Sequence, residues 1–221
     1  MVAIRQMPVT TNSVPAGSRT RLLSAATQVI RTKGYAGTTV DDICRAAALT
    51  KGSFFHHFKG KEDAALATVQ HWNEVTGALF AAAPYRRIAD PRERILAYID
   101  FRLSLLEGEL PEFTCLLGTL VQETYATAPS LRAACEQGIA LHAGTLVHDL
   151  AQAKARYAAG ADWSPESLAL YTQASIQGAF ILAKAAGSAQ VAKDCIGHLR
   201  RYVGLLLAPP GVPSASARRR R

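Results

Sequence analysis

Between residues 39 and 61 the chain crowds together side chains that suit a polyanion: Thr39, Arg45, Thr50, Lys51, Ser53, His56 and Lys61, with Gly52 and Phe55 among them. Ammonium and guanidinium groups neutralise phosphates, while hydroxyls, an imidazole and an aromatic ring reach base edges, sugars and methyl groups. Singly, each is an ordinary solvated side chain. Their density in one short segment is what points to nucleic-acid recognition. The remainder of the chain offers no rival chemistry: no Ser-His-Asp ordering, phosphate loop or spaced carboxylate pair stands out. His142 and His148 are six residues apart, off one helical face, so no metal set is expected. Cys44, Cys115, Cys135 and Cys195 form no CxxC pair, which argues against a disulfide scaffold or structural zinc and fits a reducing compartment. The sequence reads as a binding protein without cofactor or metal, and not as an enzyme.

Those side chains need helices to hold them. Ala and Leu are abundant and β-branched alternation is nearly absent, so the fold class is all-α. Ser18 can cap a helix over 19–33, with Leu22, Ala26, Val29 and Ile30 on one face and Gly34 ending it. Thr39-Val-Asp-Asp42 has the form of a capping box and opens a short helix over 40–47. Ala48-Leu-Thr50 is a tight connection, and Thr50 caps a second short helix over 51–57. Two short helices joined by three residues read as a helix-turn-helix. Ile43 and Ala47 pack inward, Leu49 fills the gap, and Phe54 and Phe58 anchor the second helix. Lys51, Ser53, Phe55 and His56 are left facing outward, where a recognition helix meets DNA. Further helices are expected over 61–83, 92–107, 115–126, 129–159, 165–186 and 189–207, which makes about nine in all.

Charge follows the same division. The formal net charge is +8. Residues 1–63 carry nine Lys/Arg against four Asp/Glu, residues 64–217 carry twelve against thirteen, and the last four residues are all Arg. A basic head on a neutral body suits a local polyanion-binding module. The expected domains are a flexible arm (1–17), a helix-turn-helix domain (18–63), a larger helical ligand-binding and dimerisation domain (64–207) and a disordered Arg-rich tail (208–221). The N-terminus lacks the continuous apolar core of a signal peptide. The longest charge-free stretch of the second half, 167–183, is slightly short for a bilayer. No membrane association is expected, and the protein is read as cytoplasmic.

The run from Thr38 to Asp63 (TTVDDICRAAALTKGSFFHHFKGKED) resembles the N-terminal DNA-binding domain of the tetracycline-repressor (TetR/AcrR) family, over about residues 20–66. The resemblance implies a one-component regulator of transcription that binds double-stranded DNA at a palindromic operator as a homodimer, most simply a repressor released by a small-molecule effector. Carried over by position, it implies that Thr39 caps its helix against a phosphate, that Arg45 reaches toward the groove, and that Lys51, Ser53 and His56 contact base or phosphate. Thr50 opens the recognition helix, Gly52 allows close backbone approach and Lys61 grips the DNA backbone. Two positions depart from the family's pattern. Phe55 stands where Tyr is usual, leaving ring contact without a hydroxyl. Ala48 stands where Gly is usual, at a cost of about 1 kcal/mol if its φ is positive.

In the family the body holds a ligand pocket. Apolar and aromatic residues with a few polar neighbours are the expected lining: Trp72, Phe101, Leu105, Cys115, Leu117, Val121, Tyr125, His142 and Tyr171. Each taken singly reads more readily as ordinary core. Cys115 lies in a segment resembling a branch of the family whose members include cysteine-based electrophile sensors, but its apolar and acidic sequence neighbours favour an inert, buried thiol. A helix over 167–183, uncharged around its circumference, must be covered on every side. Ala174, Gly178 and Ile181 on it, with Leu199 and Val203 on the last helix, are the expected dimer interface. The alternatives are an activating or architectural DNA-binding protein, or an all-α small-molecule carrier or enzyme whose basic head is incidental.

Overall fold

The computed structural model describes residues 17–208; the parts of the expected arm and tail at 1–16 and 209–221 lie outside the described residues. All regular elements among the described residues are helical: α1 (Ser18–Lys33), α2 (Val40–Ala47), α3 (Lys51–His57), α4 (Lys61–Ala81), α5 (Pro91–Ser104), α6 (Leu110–Phe113), α7 (Leu116–Thr124), α8 (Pro129–Tyr157), α9 (Pro165–Ala186) and α10 (Ala189–Leu206), with a 3-10 turn at Pro84–Arg87. The tenth helix, beyond the nine expected, is the single turn α6. Pro111 sits in its first turn, where the missing N–H costs no bond, and the Glu112 carboxylate accepts from the Glu109 N–H at 2.9 Å.

Local signals set the head. Thr39 Oγ1 accepts from the Asp42 N–H at 3.2 Å and Asp42 Oδ2 accepts from the Thr39 N–H at 2.9 Å, closing the capping box that opens α2. Thr50 Oγ1 accepts from the Ser53 N–H at 3.2 Å and opens α3. The first helix differs from expectation: it starts at Ser18 after an N-cap Gly17 with no side-chain cap. The Ser18 hydroxyl is hydrogen-bonded to His57 Nε2 at 2.7 Å instead, tying the start of α1 to the end of α3. Leu22, Leu23, Ala26, Ile43, Ala47, Phe54, Phe58 and Ala64 form the head core. Phe54 is wholly buried, and truncating such a ring to Ala costs about 3–5 kcal/mol.

Helix α4 starts in the head core at Ala64 and reaches Phe80 in the body core. Helices α5, α8, α9 and α10 bury Tyr98, Ile99, Leu146, Leu150, Ile176 and Ile196 between them. Charged groups pin the bundle at its edges. Arg200 grips Asp100 with two hydrogen bonds, at 2.5 and 2.9 Å, joining α10 to α5. The buried Asp149 carboxylate is met by Arg94 at 2.9 Å and Arg86 at 3.7 Å.

Helix α9 is covered by its own chain on one side. Only its inner face (Leu168, Thr172, Ile176, Ala179, Ala183) is covered; Leu170, Tyr171, Ile181 and Leu182 are about half exposed or more, and Ala174 is exposed. Leu199 and Val203, expected at a dimer interface, are 3% and 1% exposed inside their own chain, because that face of α10 packs on α5 and α9. The large apolar residues of α10 that face outward are Tyr202 and Leu205, at 44% and 70% exposure.

The turn between α2 and α3 stores strain. Ala48 has φ 51° and ψ 49°, the one non-glycine residue of positive φ among the described residues. Arg21 Nη2 holds this turn by donating to the Ala47 and Ala48 carbonyls at 2.7 and 3.2 Å. A left-handed alanine costs about 1–2 kcal/mol, part of which glycine's extra freedom in the unfolded chain offsets. Ala48→Gly is therefore expected to raise stability by about 1 kcal/mol, read as a rise in the urea midpoint at unchanged slope; a fall would show that the left-handed turn is not strained.

Candidate functional site

The outward face of α3 brings together most of the residues expected to meet DNA. Lys51, Gly52, Phe55 and His56 are exposed, and Ser53 is half-buried beside them. Phe55 is 56% exposed, its ring meeting the buried Phe54 ring edge-on at 5.3 Å. A Cβ on Gly52 would find only Thr50 Oγ1, at an ordinary 3.7 Å. Nothing in the chain itself thus demands glycine there. Arg45 projects from α2 with its side chain 78% exposed, 3.5 Å from Asp42.

Two expected contacts are engaged inside the protein. Thr39 is committed to the capping box, where its hydroxyl also donates to Asp42 Oδ2 at 2.7 Å. Lys33 bonds the same carboxylate at 2.7 Å, and with Thr39 it holds Asp42 well below the usual carboxylate range. The Lys61 ammonium donates to the Tyr35 and Thr38 carbonyls, both at 3.1 Å, and lies 4.3 Å from the Tyr35 ring centroid. Two of its three N–H groups therefore brace the turn between α1 and α2. Lysine's reach, which sequence assigns to solvent or phosphate, is here turned inward.

The second assembly is a cavity of about 80 Å³ in the body. Of the expected lining, Trp72, Leu105, Cys115, Leu117 and His142 are on its wall. Phe101, Val121, Tyr125 and Tyr171 are not. Phe101 packs edge-on against Phe80 at 5.5 Å, Val121 joins the Ile30–Val69–Leu116 cluster, and Tyr125 is 63% exposed at the end of α7. Tyr171 lies on the outer face of α9 with its ring 5.3 Å from Tyr202. Cys115 is half-buried on the cavity wall, where a fully buried thiol was expected.

Sequence reading missed the polar half of the wall: Asn73, Thr76, Arg102, Gln173 and Gln177. Helical spacing carries part of that signal. Trp72, Thr76 and Phe80 are four apart on α4, Gly138 and His142 on α8, and Gln173 and Gln177 on α9. Gly138 fits closely, since a Cβ there would lie 2.7 Å from both Asn73 Oδ1 and Leu117 Cδ1. Gln173 Nε2 donates to the Tyr98 hydroxyl at 3.0 Å, and that hydroxyl is 3.0 Å from His142 Nε2. Burial, reinforced by Arg102 and Arg86, pushes His142 down to about 3, so its imidazole is neutral near pH 7.

Head and body meet beside this cavity. Arg31, on α1, is 7% exposed, lies 4.9 Å from the ring centroid of the wall residue Trp72, and is pushed down to about 10 by burial. Glu123, on α7, accepts from the Tyr35 and Ala36 N–H groups at 3.1 and 2.8 Å.

Comparison with known proteins decides the family. The model for bacterial regulatory proteins of the tetR family matches residues 22–68, and the model for the tetracyclin repressor-like C-terminal domain matches residues 91–199. The chain belongs to the tetR family. It is a helix-turn-helix regulator of transcription. Its sequence is 32% identical over 128 residues to the HTH-type transcriptional regulator LmrA of Bacillus subtilis, covering 54% of this chain and 64% of LmrA. It is 23% identical over 186 residues to the HTH-type transcriptional repressor NemR of Escherichia coli, covering 84% of this chain and 94% of NemR. A solved TetR regulatory protein from Rhodobacter sphaeroides superposes with a TM-score of 0.75 at 25% identity, over 86% of this chain and 98% of that one. No helix among the described residues is long and apolar enough to cross a membrane.

One geometric detail bears on DNA affinity. Lys51 Nζ is paired with Asp41 Oδ1 at 2.8 Å, and that bond raises the lysine above its ordinary value. Both side chains are more than half exposed, so the pair contributes little to stability. A phosphate must compete with Asp41 for the ammonium. Asp41→Asn is expected to tighten duplex binding several-fold at low salt, with little loss of stability. Fluorescence anisotropy on a labelled duplex measures this, and unchanged or weaker binding would remove Lys51 from the contact set.

Proposed function

We propose that the protein is a cytoplasmic, homodimeric repressor that binds a palindromic operator and leaves it when a small molecule occupies the body cavity. The observation that carries this reading is the outward face of α3. Phe54 and Phe58 sink into the head core while Lys51, Phe55 and His56 are exposed on the opposite side. A helix so presented fits a major groove, with Lys51 and Arg45 on phosphates or guanine, His56 and Ser53 on phosphates or base edges, and the Phe55 ring against thymine methyls or sugars. In this reading residues 18–63 form the reading head and 64–207 the sensing body, with α4 passing from one to the other.

The outer face of α9 and α10 supports the dimer. Leu170, Ile181, Leu182 and Leu205 form an exposed apolar surface around the small residues Ala174 and Gly178, which let a partner helix approach closely. Two heads joined through it would read half-sites about 34–36 Å apart, one helical turn of DNA. Contacts of Arg31 and Glu123 across the head–body junction give the cavity a route to the spacing of the two α3 helices. An effector then acts by favouring the spacing that does not fit the operator. NemR, a repressor among the relatives, supports the sign of regulation.

A gel-shift on the duplex lying upstream of the protein's own coding region, against an unrelated duplex of equal length, tests this. Specific retardation is expected, with affinity falling steeply as salt rises because several phosphates are neutralised. Lys51→Ala and His56→Ala should each weaken binding roughly tenfold with helicity unchanged. Leu182→Glu should sediment as a monomer and lose the operator. Equal affinity for both duplexes, or wild-type affinity in both head variants, would overturn the reading.

A further inference from the structure

The cavity holds a charge that the fold leaves unanswered. Arg102 is the one Lys or Arg on its wall, and no Asp or Glu lines it. The guanidinium lies 5.3 and 5.8 Å from the ring centroids of Phe80 and Phe180, half-buried. Arg86 and Arg94, by contrast, share the buried Asp149 carboxylate. Arg102 has no carboxylate within ion-pair distance among the described residues. A half-buried guanidinium stacked on two rings and free of carboxylates can still pair with an anion that enters the cavity.

The neighbours decide what kind of anion. The Tyr98 hydroxyl accepts from Gln173 Nε2 and lies 3.0 Å from His142 Nε2. His142, held neutral by burial, adds no charge to the wall beside Arg102. Asn73, Thr76 and Gln177 add uncharged polar groups to the wall, and Trp72, Phe80, Phe113 and Phe180 supply flat apolar surface. Such rings could also cage an organic cation, but Arg102 already holds two of their faces and would repel one. The cavity, about 80 Å³, has room for several waters and so for a small molecule.

We propose that the cavity binds a small organic monocarboxylate, its carboxylate paired with the fork of the Arg102 guanidinium and its short hydrocarbon or aryl body against Trp72, Phe80, Phe113 and Phe180. Planar bidentate pairing suits a carboxylate. This inference rests on the reading of the cavity as the effector site, and it adds the effector's chemical class.

The test uses matched probes on the full chain: propionate against propionamide, and benzoate against benzamide, by isothermal titration. The acid is expected to bind at least tenfold tighter than its amide. Arg102→Gln should lose that preference and Arg102→Lys should keep part of it. Amides that bind as well as acids, or no binding of either acid at millimolar concentration, would overturn the proposal. Should Arg102→Gln fail to fold, since Arg102 packs on two rings, the acid–amide ratio in the unaltered protein decides alone. A parallel operator gel-shift separates the two readings. Carboxylate binding that leaves the operator complex intact keeps the anion site and removes its effector role. Operator binding with no carboxylate binding removes the anion site and keeps the regulator.

Discussion

The two oxygens of Glu123 hold the end of the first helix. They accept from the N–H groups of Tyr35 and Ala36, just where α1 stops and the chain turns toward α2. Gly34 makes this possible: its φ is 79°, and a Cβ there would lie 2.4 Å from Glu123 Oε1. Lys61 closes the turn from the other side through the Tyr35 and Thr38 carbonyls. The direction in which α2 and α3 leave the body is set at this point. Glu123 belongs to α7, whose first turn carries the cavity-wall residue Leu117, so one helix joins that wall to the turn.

The recognition surface is otherwise built for a fixed shape. Each of its short helices begins with a side-chain cap, and together α2 and α3 lay Ile43, Ala47 and Phe54 on the head core. Isolated helices of seven or eight residues are not stable in water, so the caps and this small core hold them. The left-handed Ala48 and its Arg21 clamp add a local cost that the surrounding structure sustains. Anionic groups are woven through the same face. Asp41 on Lys51 and Asp42 on Lys33 limit the field of the head when no polyanion is present.

Much of this was legible in the sequence because it is local. Thr39–Asp42 and Thr50–Ser53 are contacts three residues apart, and they fix the bounds of α2 and α3 as expected. The proline starts of α5, α8 and α9 are equally local. What was not legible depends on which way a helix faces. Leu199 and Val203 pattern as interface as readily as core, and packing of α10 on α5 and α9 decided for core. Tyr125 and Tyr171 pattern as pocket residues, and their helices turned them outward. Arg102 and Lys61 ordinarily signal a solvated surface; tertiary structure placed one on the cavity wall and the other on backbone carbonyls. A charge facing inward leaves no mark in a single sequence.

The coupling of body to head is tested most directly by residue-resolved amide hydrogen exchange at the junction. In the unaltered protein the Tyr35 and Ala36 amides should exchange more slowly than in Glu123→Ala. Amides in the middle of α1 and α4 should exchange alike in both. Equal exchange of Tyr35 and Ala36 in the two proteins would show that Glu123 does not hold the turn, and the link from cavity to recognition helix would fail with it.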